Sequence, residues 1–437
     1  MINHIIILLR NDYRMKQLKD FTKEELAAFC ADTQKKYDEF KARGLKIDMS
    51  RGKPSPAQLD MAFADFAPAF KITDYTSKNG FDSRNYGLLS GIPEAKALFA
   101  ELLGVDEKNI IVGGNASLEL MFSFISQCWT HGIAGCEPWS RQGNVKFIAV
   151  VPGYDRHFSI AEYFGIEMVN VPIDAKGPDM DMVEELVKDP AVKGMFCVPK
   201  YSNPDGYTYS DETVTRLAKM QPAAKDFRVI WDNAYIIHEI YEKGDTLLNI
   251  FDEAKKYGTE DNFVEFCSTS KITFPGAGIS AIAASDANIK EILARLTVQI
   301  ISYDKMNQFR HSAIFPNVDA LKAEMTKHAE ILRPKFEAVL EVLASELEGL
   351  GIASWHRPNG GYFISLNVDT GSAKYAGELC KEAGLTLTGV GATFPYGKDP
   401  EDKNIRIAPS YPSVQELKDA AELLCTSVKL AACKALS

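Results

Sequence analysis

Phe263-Val264-Glu265-Phe266-Cys267-Ser268-Thr269-Ser270-Lys271, followed closely by Phe274-Pro275-Gly276-Ala277-Gly278, is the stretch on which the fold of this chain turns. Phe263 to Cys267 is a nearly continuous apolar run, the pattern of a strand buried on both faces. A lysine that closes such a strand, just ahead of a glycine-rich loop, is badly placed to be a mere solvated cation. Partial burial favours a neutral amine, the form that condenses with an aldehyde. Ser268 and Ser270 offer hydroxyl donors for a phosphate beside it.

Similar runs lie on either side. Ile110 to Val112, Phe147 to Val151, Glu167 to Val171, Met195 to Val198, Arg228 to Trp231 and Ser280 to Ala284 complete a set of strand candidates bounded by Gly, Pro, Asn or Asp. Helical patterns such as Ser117 to Cys128, His157 to Phe164 and Thr213 to Met220 fall between them. Alternating strands and helices predict an α/β fold with a mostly parallel, seven-stranded, doubly wound sheet and ligands at the carboxyl ends of its strands. A long helix from about Val318 to Leu350 follows, then the apolar segments Tyr362 to Leu366, Leu385 to Val390 and Ile405 to Ile407, which read as a separate α+β layer. The helix predicted from Phe21 to Phe40, with Thr22 as its cap and Glu24 and Glu25 in its first turn, is expected to pack with that layer. Leu45 to Met49 is a short strand candidate.

Three further motifs sit at strand ends. Val112-Gly113-Gly114-Asn115-Ala116-Ser117 is a glycine turn opening a helix, where free N–H groups suit a phosphate. Asn203-Pro204-Asp205-Gly206 reads by itself as a β-turn. In Trp231-Asp232-Asn233-Ala234-Tyr235 a carboxylate stands just past an apolar strand, where it can cap a helix or hold a pyridine nitrogen protonated.

Composition narrows the classes of function. The chain has 437 residues and a formal net charge of −10, which argues against nucleic acid or an anionic membrane as its main partner. No apolar run approaches the roughly 20 residues of a membrane span. The eight cysteines are scattered without a C-x-x-C pair; neither a zinc site nor a disulfide framework is suggested, and reduced thiols in a cytoplasmic protein are the simple reading. Residues 1–14, with the short apolar stretch Ile5 to Leu9, are too short for a secretory signal and read as a non-native extension ahead of a start at Met15, or as part of a chain that starts at Met1.

The co-occurrence of Asn-Pro-Asp-Gly, Asp-x-x-Tyr and Ser-x-Ser-Lys in this order resembles the class I, fold-type-I pyridoxal-phosphate aminotransferases, over almost the whole chain. It is most similar to the divergent subgroup of bacterial aspartate aminotransferase-like proteins. The resemblance implies a large cofactor domain over residues 76–317 and a small domain built from 15–75 and 318–437. It implies pyridoxal 5'-phosphate held as a Schiff base on Lys271, and ping-pong transfer of an amino group from an amino acid (aspartate) to a 2-oxo acid (2-oxoglutarate). Asp232 would pair with the ring nitrogen, with His157 behind it, and Tyr235 and Asn203 would bond the phenolic oxygen. Tyr154 would stack on the ring; Asn115, Ala116, Ser117, Ser268 and Ser270 would line the phosphate. Arg406, in Asn404-Ile405-Arg406-Ile407, would clamp the substrate α-carboxylate, with Gly52 lending a backbone N–H. Tyr86 would reach the phosphate of a neighbouring subunit, so a homodimer is implied.

One departure stands out. The family carries an arginine for the phosphate in the Pro-Gly stretch after the lysine, and Pro275-Gly276-Ala277-Gly278 has none. Arg51, Lys53, Lys305 and Arg310 are the candidate substitutes. The polar segment Tyr303 to His311 reads either as a partner-supplied site for a substrate side-chain carboxylate or as an interdomain loop. The same cofactor also serves β-elimination and decarboxylation, so a β-lyase or a decarboxylase is the alternative; a catalytically idle binding protein is the reading from another class.

Overall fold

The computed structural model describes residues 16–436; the start at Met1 or Met15 and the extension 1–14 lie outside the described residues. In chain order its strands are β1 (Ile47–Asp48), β2 (Ile110–Val112), β3 (Lys146–Val151), β4 (Glu167–Asp174), β5 (Gly177–Pro178), β6 (Val192–Cys197), β7 (Arg228–Asp232), β8 (Phe263–Ser268), β9 (Ser280–Ala284), β10 (Ala353–Trp355), β11 (Ile364–Val368), β12 (Leu385–Thr386) and β13 (Asn404–Ile407). The main sheet has the order β2-β9-β8-β7-β6-β3-β4-β5. The strands β4, β3, β6, β7 and β8 run parallel to one another. All seven expected strands are present, and an eighth, the two-residue β5, pairs antiparallel with the end of β4. It carries no apolar run, only Gly177 and Pro178, so hydrophobic periodicity has nothing to register there.

The strand β9 runs antiparallel to both neighbours. No helix lies between β8 and β9, and parallel neighbours need a crossover of that kind. The connection is instead the loop that begins at Lys271. The strands β2, β6, β7, β8 and β9 are buried along their whole length, which is why they read as continuous apolar runs.

Two hydrophobic clusters cover the two faces of this sheet. A third gathers Tyr37 and Phe40 of the helix Lys23–Ala42 with Phe336, Leu340, Ile364, Leu385 and Leu424. Around it lie the three-stranded antiparallel sheet β10-β11-β13 and the parallel pair β1-β12. The N-terminal helix therefore packs on the C-terminal layer, against the helix Val414–Leu436. Its start is a capping box: Glu25 N donates to Thr22 Oγ1 and Thr22 N to a Glu25 carboxylate oxygen. The long helix Val318–Leu347 spans the layers, with Leu321 and Met325 in one main-sheet cluster and Phe336 to Leu347 in the third.

Cys30 and Cys433 are joined by a disulfide across these two packed helices, their Cα atoms 5.8 Å apart. This corrects the expectation of thiols throughout. The partners are 403 residues apart in the chain, and only the packing of the first and last helices brings them together. No described helix is long and apolar enough to cross a membrane.

Candidate active site

The carboxyl ends of β3, β6, β7 and β8 open onto one cavity of about 680 Å³, roofed by Ser50 to Lys53, Thr386 to Gly389 and Arg406. Tyr154, Asn203, Asp232, Tyr235 and Lys271 reach it from the main sheet, as ligand placement at strand ends requires.

Asp232 is the last residue of β7 and is buried. Its Oδ2 lies 3.0 Å from His157 Nε2, while Oδ1 has no hydrogen-bond partner. Buried carboxylate oxygens are normally satisfied, so an unpartnered one beside the cavity fits a donor from outside the chain, such as a protonated ring nitrogen. The His157 ring stacks on Phe196 at 4.8 Å between centroids and meets Tyr154 edge-on, which fixes its orientation. Burial pushes the Tyr154 hydroxyl up to about 12, against the opposing pull of Lys271, and pushes Tyr235 higher still. Both stay protonated and able to donate.

Lys271 is half-buried, and its Nζ lies 4.8 Å from the centre of the Tyr235 ring and 5.9 Å from that of Tyr362. Beside it runs a chain of neutral donors: Ser268 Oγ donates to Ser270 Oγ, and Ser270 Oγ to Asn115 O. Asn115 Nδ2 in turn donates to Pro275 O. The helix Ser117–His131 starts at Ala116 without a side-chain cap, and Ser117 at its first turn lines the cavity. Uncapped N–H groups on a helix axis suit a phosphate. The glycine turn ahead of it is tight: a β-carbon on Gly113 would lie 2.7 Å from Leu120 Cδ2. These features together fit a phosphorylated pyridine aldehyde.

Arg406 is buried on β13, and its guanidinium is already in use. Nη1 donates to Asp155 Oδ1 at 2.8 Å and to Asn203 Oδ1 at 3.2 Å; Nε donates to Thr388 Oγ1 at 3.2 Å. Phe363 lies under it, 5.0 Å from ring centre to Cζ. Gly52 approaches the same ring so closely that a β-carbon there would stand 2.6 Å from Phe363 Cζ.

Other expected residues lie elsewhere. Tyr86 is 75 % exposed and does not line the cavity. Of the four candidate phosphate cations, Arg51 and Lys53 line it, and Lys305 and Arg310 do not. Lys305 Nζ bonds Ser302 Oγ, and Arg310 Nε bonds the Tyr75 hydroxyl. The segment Tyr303 to His311 forms the start of a helix, Lys305–Ile314, that braces the loop after Lys271. Asn307 Nδ2 donates to Ala277 O and Gly278 O, and His311 Nε2 hydrogen-bonds Thr273 Oγ1.

Sequence reasoning passed over Asp155, Arg156, Thr388 and Phe363, all of which line the cavity. Asp155 and Arg156 carried a usable signal, since they follow Tyr154 directly. Thr388 and Phe363 carried none, because only the folding of the C-terminal layer onto the sheet brings them in. A buried relay was also missed. His328 Nε2 donates to Ile272 O, and Gln58 Nε2 donates to His328 Nδ1 and to the Tyr362 hydroxyl. It ties the residue after Lys271 to the helices Pro56–Phe66 and Val318–Leu347.

The aspartate amino-transferase family model matches residues 21–437. An aspartate aminotransferase of Corynebacterium glutamicum is 46 % identical over 416 residues, covering 95 % of this chain and 96 % of its own. A protein of Mycolicibacterium smegmatis described as a putative aminotransferase is 46 % identical over 417 residues, 95 % of this chain and 97 % of that one. The crystal structure of an aspartate transaminase from Corynebacterium glutamicum superposes with a TM-score of 0.94 at 45 % identity, covering 97 % of this chain and all of that one.

Proposed function

The chain belongs to the aspartate aminotransferase family and is a pyridoxal-phosphate-dependent transaminase; from that premise we propose that it moves an amino group from aspartate to a 2-oxo acid, 2-oxoglutarate, in two ping-pong half-reactions. The observation that carries the proposal is the convergence of Lys271, Asp232 and Arg406 on one cavity. The acidic substrate is supported by the Corynebacterium glutamicum relative, an aspartate aminotransferase, and by the charge of the walls. Arg51, Lys53, Arg156, Lys271 and Arg406 line the cavity, against Asp155 and Asp232, a balance that favours a dicarboxylate.

When bound, pyridoxal phosphate supplies an electron sink for the bond broken at the substrate α-carbon. Asp232, whose Oδ1 has no partner while His157 hydrogen-bonds Oδ2, would hold the ring nitrogen protonated. Tyr154 would cover the ring face, and the Tyr235 hydroxyl and the Asn203 amide would hold the phenolic oxygen. Ser117, Ser268, Ser270 and the N–H groups after Asn115 and Ala116 would take the phosphate. Lys271 Nζ would hold the cofactor's aldehyde carbon, and its amine would serve as the base that moves the proton at the substrate α-carbon. Arg406 receives the α-carboxylate as a two-pronged fork, with the Gly52 N–H beside it.

The same reading makes the enzyme a cytoplasmic homodimer, divided into a domain at 76–317 and a second from both chain ends. Tyr86, exposed on its own subunit, is then the residue offered to the neighbour's phosphate. The hydrophobic cluster that gathers the C-terminal layer supports the division, although Val198, Tyr201, Tyr235 and Ile240 of the main domain join it; the six free cysteines fit a reducing compartment and the Cys30–Cys433 disulfide does not. A donor screen on the holoenzyme tests the reaction. Aspartate gives pyridoxamine phosphate and an oxo acid; release of ammonia with pyruvate, or of CO₂, with no pyridoxamine phosphate, would mark a β-lyase or a decarboxylase instead.

A further inference from the structure

The Arg406 side chain is 6 % exposed and that of its ion-pair partner Asp155 is 31 % exposed. An unpaired guanidinium at that depth is costly, and Asp155 supplies the missing anion from inside the chain. We infer that Asp155 is an internal stand-in for the substrate carboxylate: it holds Arg406 in the free enzyme and is displaced when the α-carboxylate of a substrate arrives. This rests on the reading of Arg406 as the carboxylate receptor.

The geometry supports an exchangeable contact. Asp155 touches the fork through Nη1 alone, at 2.8 Å, and no described residue accepts a hydrogen bond from Nη2. A carboxylate free to orient itself can take two parallel N–H donors, the stronger arrangement. Asn203 and Thr388 hold Nη1 and Nε from other sides, so the guanidinium keeps its position during the swap. Asp155 also has somewhere to go. It is the first residue of the helix Asp155–Tyr163, where the helix dipole favours a carboxylate, and a third of its side chain already meets solvent. Tyr154, which covers the cofactor ring in the reading above, is its immediate neighbour. Gly153 N donates to Thr393 O at 2.8 Å, tying that turn to the loop roofing the cavity. Filling the clamp therefore acts on the turn that carries Tyr154.

An internal competitor lowers the affinity for every carboxylate by the same factor and leaves the chemical step alone. In Asp155→Asn the holoenzyme is expected to bind succinate, a dicarboxylate without an amino group, about tenfold more tightly by titration calorimetry. KM for both the amino donor and the oxo acid falls in parallel, with kcat changed less than about twofold. Asp155→Ser, which also keeps a polar group at the helix start, shows the same pattern and guards against a misfolded asparagine variant. Unchanged or weakened succinate binding in both variants would overturn the inference, because Asp155 would then be neutral or would hold Arg406 in its working position. Arg406→Gln is titrated alongside. If it binds succinate as the parent does, the receptor reading itself fails; if it binds more weakly while the Asp155 variants do not tighten, only the stand-in fails.

Discussion

The ring wall and the phosphate wall of the cavity are built on opposite principles. At the ring wall a buried carboxylate, Asp232, is fixed by a buried histidine and keeps one oxygen unpartnered beside the cavity. The groups proposed for the phosphate are neutral: serine hydroxyls, of which Ser117 lines the cavity, backbone N–H groups and an uncapped helix start. No arginine stands in the loop after Lys271. A side chain at Gly278 would in any case meet Thr269 Oγ1 at 2.8 Å. A buried charge acts strongly at short range, and each neutral hydrogen bond contributes little alone. On the proposed roles, the ring wall would govern the chemistry through one group, and the phosphate wall would govern retention of the cofactor through many small ones.

Substitutions at the two walls should separate accordingly. Asp232→Ala is expected to lower the single-turnover rate by roughly a thousandfold, the scale of losing one preorganised electrostatic group, with the cofactor still bound; a loss of less than about tenfold would remove the asymmetry between the walls. His157→Phe leaves the carboxylate in place without its buried donor. A charge-assisted hydrogen bond of about 1.5–3 kcal/mol is lost, so the same rate should fall roughly ten- to hundredfold. Ser270→Ala removes one neutral hydroxyl, about 0.5–1.5 kcal/mol, read as an increase in the cofactor dissociation constant of about tenfold at most, with kcat preserved. An effect as large as that of His157→Phe would mean that the phosphate wall depends on a single group after all.

A further effect, read in stability and not in rate, lies behind the ring wall. Glu265 on β8 accepts from Asn233 Nδ2 at 2.8 Å, next to Asp232, and burial pushes its carboxyl from 4.5 up to about 8. A pKa raised on folding contributes stability that is complete below about 4.5 and is lost as pH rises through about 8. Glu265→Gln keeps the acceptor and removes the titration. It should match the parent in acid and be the more stable protein above about pH 8; parallel pH–stability curves would show that Glu265 is not the buried acid described.

The same contrast explains what could be read in advance. The ring wall was legible because its residues close apolar strands: Asp232 ends β7 and Lys271 follows β8, so periodicity and a single polar residue mark each place. Tyr154 and Asn203 follow β3 and β6 in the same way. The absence of the phosphate arginine was equally visible, being a gap in a short motif. The residues that roof the cavity were not, since Thr388, Phe363 and Gly52 come from distant parts of the chain whose approach depends on how two layers pack. The pairing of Asp155 with Arg406 spans 251 positions, and the Cys30–Cys433 bond spans nearly the whole chain. Local pattern carries no record of either.

The central claim is that Lys271 is the residue to which the cofactor is bonded. Treating the holoenzyme with borohydride and mapping its peptides by mass spectrometry tests this without an activity assay. A single phosphopyridoxyl group on Lys271, absent from Lys271→Ala, is the result expected. An unmodified Lys271 peptide from protein that had bound cofactor, or the group on another lysine, would contradict the account.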